Sequence, residues 1–147
     1  MKIPASLWLF LIITLGFMLL QLLGIYHLVG VTNDIIEDKG EAALFPIYIL
    51  FFFGAMLIVA EIFAVILTYK RNKSGHILLK TLWVVYSVVF GLSAIVGLVS
   101  VFTGRGYNNG AEQLGGIIGV LVLPIGIILL SITLFTSKKI NAYFNAL

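Results

Sequence analysis

The sequence predicts an all-α fold: a polytopic membrane protein whose four transmembrane helices form one antiparallel bundle, with both termini in the cytoplasm. Three observations support this prediction. Apolar residues make up 61% of the 147 positions and charged residues only 10%, whereas a soluble domain is typically about half apolar and about a quarter charged. The apolar residues form four runs long enough to cross a bilayer. The charged residues fall in short clusters between these runs.

The first apolar run covers residues 7–31 and contains no charged residue. At about 1.5 Å per residue, a helix of this length crosses a hydrocarbon core of about 30 Å. A cleaved signal peptide is the alternative, but its apolar region is usually about 7–15 residues long and ends in a small-x-small site. We therefore expect a retained first helix, with Thr14 and Gln21 as uncharged polar residues inside it.

Residues 32–43 are predicted to be the first loop. Its charged residues are mostly acidic: Asp34, Glu37, Asp38 and Glu41 against Lys39. Carboxylates suit a divalent cation, but a calcium loop needs a tighter ligand spacing and a glycine at a set position. We interpret this segment as a solvated loop and predict no metal site.

The second run, residues 44–69, holds one carboxylate, Glu61, and ends in a basic cluster. The third run, residues 77–102, carries small residues at helical spacing, namely Gly91, Ala94 and Gly97. Small residues let the backbone of a second helix approach closely. We therefore expect this stripe to pack against another helix.

The fourth run, residues 114–135, contains a GxxxG pair formed by Gly115 and Gly119. Pro124 lies in its middle, where proline leaves the carbonyl of Val120 without its helical hydrogen bond. Because lipid offers that carbonyl no donor, we expect Pro124 to face protein. The glycine pair is expected to serve helix packing.

The basic residues predict the orientation. Seven of the nine lie on one side of the predicted membrane: Lys2, Lys70, Arg71, Lys73, Lys80, Lys138 and Lys139. Only Lys39 and Arg105 lie on the other side. The positive-inside rule then places both termini and the middle loop in the cytoplasm, and we expect a bacterial cytoplasmic (inner) membrane. Basic residues beside apolar spans contact lipid headgroups, so we expect no nucleic-acid partner.

Several chemistries are excluded by composition. The chain has no cysteine, which removes disulfides, thiol nucleophiles and iron–sulfur clusters. It has two histidines, His27 and His76, too few for a metal site built mainly from histidine. Catalysis needs several titratable groups in one pocket, and Glu61 is the only carboxylate within a run. We predict no cofactor and rank an enzyme last.

Glu61 is the residue that calls for an explanation. It lies eight residues before Tyr69, or about 12 Å inside the end of the second helix. An ionised group at that depth costs a few kcal/mol, so the carboxyl should be neutral, paired or facing water. Tyr86 and Ser87 of the third run are expected at a similar depth and form, with Glu61, a predicted intramembrane polar site. A structural hydrogen bond and a transport role are equally supported.

Two functional hypotheses lead. The first is an accessory subunit, or an inhibitor or immunity-type partner, that binds a membrane complex through helix–helix contacts. It is favoured because we find no soluble domain, catalytic constellation or internal repeat in the sequence. The second is a small homo-oligomeric transporter or channel that uses Glu61. Expected partners are therefore membrane lipids and either a membrane protein or further copies of this chain.

Overall fold

The computed structural model describes residues 3–39, 44–103 and 110–145, and every regular element in these ranges is an α-helix. The helices are α1 (Ala5–Lys39), α2 (Leu44–Tyr69), α3 (Lys73–Phe102), α4 (Gly110–Thr136) and α5 (Lys138–Asn145). The predicted all-α class is confirmed. Residues 40–43 and 104–109, which include Glu41 and Arg105, lie outside the described residues, as does Lys2.

Four helices are long and apolar enough to cross a membrane, as the sequence predicted. The candidate spans are Ala5–Gly30, Leu44–Tyr69, Lys73–Phe102 and Leu114–Thr136. Large apolar side chains line their outer faces: Leu20, Phe52, Val96 and Val122 are each more than 60% exposed. A soluble monomer rarely exposes so much contiguous apolar surface, whereas such faces suit lipid. The structure indicates a multi-pass membrane protein.

The helix bounds differ from the predicted runs at several ends. α2 has the predicted limits, but α1 continues to Lys39 through much of the predicted loop. No proline or glycine interrupts residues 31–39, and glutamate and lysine are good helix formers. α3 begins at Lys73 and α4 at Gly110, each four residues before the predicted run. Beyond the fourth predicted run, residues Lys138–Asn145 form α5.

A tight connection joins α2 to α3. Arg71 has a positive φ of 59°, and its N–H donates to the carbonyl of Thr68 at 3.0 Å. The N–H of Asn72 donates to the carbonyl of Leu67 at 2.8 Å. This pair of bonds around a left-handed residue is the Schellman motif that ends many helices. Arg71 occupies a position that glycine adopts at lower cost.

The same connection starts α3. The side-chain oxygen of Asn72 accepts the N–H of Ser74 at 2.8 Å, so Asn72 caps the helix. Gly75 follows in the first turn, and a Cβ added there would overlap the backbone of Leu67 and Thr68. The connection is therefore closed by backbone contacts that only glycine permits.

The chain divides into two compact units. In the first, residues 3–79, α1 packs on α2. Gln21 contacts Glu61, and a Cβ on Gly54 would lie 3.4 Å from Ile25 Cδ1. Later residues of α1 therefore meet earlier residues of α2, which is the order of neighbouring helices that run in opposite directions.

The second unit, Lys80–Asn145, contains most of α3 together with α4 and α5. Gly97 approaches Val120, and Ser87 contacts Ser131. These pairs again run in opposite order along the two helices. α5 is amphipathic: Ile140, Tyr143 and Phe144 are buried, whereas Lys138 and Lys139 are exposed.

Candidate functional site

Glu61 is buried, with 1% of its surface exposed. Gln21 of α1 donates a hydrogen bond from Nε2 to Oε1 of Glu61, across 2.5 Å. Both residues lie in candidate membrane spans. This contact joins α1 to α2 through the carboxyl group.

The Gln21 side chain is only half satisfied. Its Oε1 is buried and has no hydrogen-bond partner among the described residues, while its Nε2 bonds Glu61. The pair therefore places polar groups at the contact between α1 and α2.

Gln21 is predicted as a polar residue of the first run, but its pairing with Glu61 is not predicted. The available signal was the spacing of Thr14 and Gln21, seven residues or two turns apart on one side of α1. Thr14 is fully buried, and its hydroxyl donates to the carbonyl of Phe10 at 2.8 Å. Polar residues that recur every two turns in an apolar helix mark the side that faces protein.

Ser87, predicted near Glu61, takes part in a hydroxyl cluster of the second unit. Its Oγ donates to the carbonyl of Trp83 at 2.8 Å. The hydroxyl of Ser131 lies 2.7 Å from Ser87 Oγ and 3.1 Å from the same carbonyl. Tyr86 is buried and stacks edge-on against Trp83. The predicted grouping of Tyr86 and Ser87 with Glu61 stays a prediction, and Ser131 was not anticipated.

The small residues fall into two kinds. A Cβ added to Gly97 would lie 2.8 Å from Val120 Cγ1, so Gly97 permits a close approach of α3 and α4. A Cβ added to Gly91, Gly115 or Gly119 would meet no described residue within 4 Å. Ala94 is buried. Among the described residues, no side chain therefore packs on the GxxxG pair of α4. We call these two glycines open, whereas Gly97 already contacts the side chain of Val120.

Pro124 lies inside α4 and is buried, and the helix continues past it to Thr136. A carbonyl exposed by a proline should avoid lipid, and the assignment of Pro124 to helix packing stays a prediction.

A groove of about 540 Å³ runs between α3 and α4. Its lining is Val84, Ser87 and Val88 of α3 with Ile128, Ser131, Ile132, Phe135 and Thr136 of α4. The two serine hydroxyls are bonded to each other. The groove therefore presents mainly hydrocarbon, and its volume falls within the range of about 300–1,000 Å³ typical of small-molecule sites.

The basic residues predicted to set topology differ in their surroundings. Lys70, Lys73, Lys138 and Lys139 are exposed, and Arg71 is half-buried. Lys80 is held in place: its Nζ donates to Asn141 Oδ1 at 3.1 Å and lies 5.1 Å from the centroid of the Phe135 ring.

No group of three or more histidine or acidic side chains that could hold a metal occurs among the described residues. Comparison of the chain with protein-family models, curated proteins and solved structures gives no match. The Glu61–Gln21 pair, the open glycines of α4 and the α3–α4 groove are therefore the features from which a function can be inferred.

Proposed function

We propose that this protein acts through helix–helix contacts in the membrane, as an accessory subunit or an inhibitor of a membrane complex, and not as an enzyme. One observation carries the proposal: α4 has an open glycine face. Among the described residues, a Cβ added to Gly115 or Gly119 meets nothing within 4 Å, whereas Val120 of the same helix already packs on Gly97. One side of α4 therefore packs on α3, and a neighbouring side is free of contacts with the described part of the second unit.

The open face extends over three turns. Gly126, seven residues after Gly119, also has none of the described residues within 4 Å of an added Cβ, and residues two turns apart share a helix face. Exposed Ile118 and Val122 flank these glycines. Helices in lipid associate through close packing, because lipid is as apolar as their side chains. Glycines beside large apolar residues suit the close approach of a partner helix.

The Glu61–Gln21 contact supports a structural role for the carboxyl group. A transport residue must exchange a proton or an ion with water, whereas Glu61 is buried and bonded across α1 and α2. The contact resembles a polar fastening between helices. This weighs against the transporter hypothesis, in which Glu61 would face a pathway.

We also propose that the four long helices form one antiparallel bundle in a bacterial inner membrane, with both termini cytoplasmic. The opposed contact orders within each unit and the seven basic residues on one side support it. Since the chain has no cysteine, single-cysteine variants report topology. Ser74→Cys should react with an impermeant thiol reagent only from the cytoplasmic side, and Glu112→Cys only from the other. The opposite labelling pattern would contradict the proposed orientation and place both termini on the other side of the membrane.

Photo-crosslinking tests the proposed contact. A photoreactive amino acid at Ile118, beside the open glycines, should give one discrete adduct with another membrane protein in native membranes. The same probe at the equally exposed Val96 of α3 is the position control. Gly119→Leu should abolish the adduct, because the added bulk holds a partner helix away.

Gly24→Leu is the matched control, since Gly24 of α1 is also open. It should leave the adduct unchanged. Loss of the adduct in both variants, or an adduct that Gly119→Leu does not affect, would contradict the assignment of the open glycine face as the contact.

A further inference from the structure

One end of the α3–α4 groove lies beside the ammonium group of Lys80. Phe135 forms part of the groove wall, and the ammonium group of Lys80 lies over the same ring. Lys80 precedes Val84 and Ser87, both groove residues, by four and seven positions, so all three lie on one face of α3. The apolar α3–α4 groove and the positive charge of Lys80 therefore lie side by side at one end of the second unit.

The ammonium group of Lys80 is held by a hydrogen bond to α5. Asn141 of α5 accepts a hydrogen bond from Lys80 Nζ at 3.1 Å and donates one from Nδ2 to the carbonyl of Phe135 at 3.1 Å. An ammonium group carries three donors, and Asn141 takes one of them. Lys80 is therefore positioned at the groove end with donors left for an anion.

The positive charge there has no acidic neighbour along this unit. From Lys80 to the end of the sequence, the only acidic side chain is Glu112. It lies in the first turn of α4, about 35 Å along the helix from Phe135. Lys138 and Lys139 begin α5 just after Thr136, which also lines the groove, and both are exposed. The surface at the groove end therefore favours an anion.

We propose that this groove binds one anionic phospholipid, with an acyl chain between α3 and α4 and the phosphate at Lys80, Lys138 and Lys139. The hydrocarbon lining suits the chain, because the serine hydroxyls at its floor already bond each other and the Trp83 carbonyl. The three basic residues supply the charge that an anionic headgroup requires. This site is separate from the open glycine face, and it stands whichever protein binds there.

Tryptophan fluorescence tests the site in the full-length chain. The protein has two tryptophans, so Trp8→Phe leaves Trp83, whose carbonyl bonds the groove floor, as the only reporter. Vesicles containing phosphatidylglycerol with brominated acyl chains should quench Trp83 at lower mole fraction than brominated phosphatidylcholine of the same chain length. We expect a preference of about fivefold or more, the effect of one basic residue near an anionic headgroup.

Two variants with matched controls locate the lipid. Val88→Phe fills the groove, whereas Val89→Phe adds the same bulk at a neighbouring residue of similar exposure that is not part of the lining. Val88→Phe should reduce quenching by both lipids, and Val89→Phe should not. Lys80→Gln should remove most of the preference for phosphatidylglycerol, while Lys73→Gln, at an exposed position, should retain it.

Equal quenching by the two lipids would overturn the proposal, as would identical behaviour of Val88→Phe and Val89→Phe. Quenching that falls as protein concentration rises would assign the groove to a second copy of this chain, which also overturns it. If Lys80→Gln does not fold, the groove-filling pair still decides the outcome.

Discussion

Each unit contains a close glycine contact and a polar contact, and these contacts are of different kinds in the two units. In the first unit, Gly75 meets the backbone of the preceding helix, and a carboxyl group bonds an amide. In the second, Gly97 meets the Val120 side chain, and serine hydroxyls bond each other and a carbonyl. Backbone cannot move aside as a side chain can, and a buried carboxyl group has more hydrogen-bonding atoms to leave unpaired than a hydroxyl.

The comparison indicates that the first unit tolerates change less well than the second. Its contacts fix the α2–α3 connection and the α1–α2 pairing. The contacts of the second unit can adjust through a valine rotamer or through the remaining hydroxyl. The four substitutions below test this difference, and each is measured as a change in the free energy of unfolding in mixed micelles.

Gly75→Ala should have the largest effect. The new Cβ would overlap the backbone of Leu67 and Thr68, so the α2–α3 connection must open. We expect a loss above about 3 kcal/mol, beyond the usual cost of overpacking. Gly16→Ala, at an open position in α1, is the control and should be neutral or stabilise by about 0.5–1 kcal/mol. Equal stability of the two variants would contradict the tight connection.

Gln21→Leu should have the second-largest effect on stability, because it removes the amide donor from a buried carboxyl group. We expect a loss of about 1–3 kcal/mol. The same change in a Glu61→Leu background should cost much less, since no carboxyl group remains to be paired. A double-mutant cycle measures this coupling. Zero coupling would show that the Gln21–Glu61 bond does not fasten α1 to α2.

Gly97→Ala should cost less than Gly75→Ala, about 1–2 kcal/mol, because the obstacle is a side chain. Val120→Ala in the same chain should restore part of the loss by removing both methyl groups near the new Cβ. Gly91→Ala, open on the same helix, should be tolerated. If Val120→Ala does not restore stability, the loss in Gly97→Ala would not come from the contact with Val120.

Ser131→Ala should have the smallest effect, about 0.6 kcal/mol, which is typical of hydrogen bonds between membrane helices. Ser87 retains its own bond to the Trp83 carbonyl. Ser93→Ala removes an exposed hydroxyl that bonds its own helix and should change stability still less. A Ser131→Ala loss as large as that of Gln21→Leu would remove the contrast between the units.

The sequence was sufficient for the class and for most helix positions. Apolar runs of membrane length predicted four candidate spans, and the limits of α2 were predicted correctly. The extension of α1 to Lys39 was not predicted, because the polarity of residues 32–39 suggested a loop. Polarity reports contact with water, whereas helix continuation depends on local backbone preference.

The contacts of the site were harder to predict. Helices in lipid are apolar on all sides, so no polar face indicates how each is rotated about its axis. The sequence singled out Glu61, but which residue meets it depends on the rotation of α1. The Lys80–Asn141 contact joins residues 61 positions apart, and only the fold brings them together. Gly97 and Gly119 look alike in sequence, yet only Gly97 contacts a side chain of this chain.

Native mass spectrometry after gentle extraction from the source membrane, without overexpression, tests the proposed function most directly. We predict a heteromeric assembly with another membrane protein. The Gly119→Leu variant should lose this partner, and the Gly24→Leu variant should keep it. A monomer without partners would contradict it. So would a homo-oligomer whose reconstituted proton flux is abolished by Glu61→Gln, because the buried carboxyl group would then serve transport.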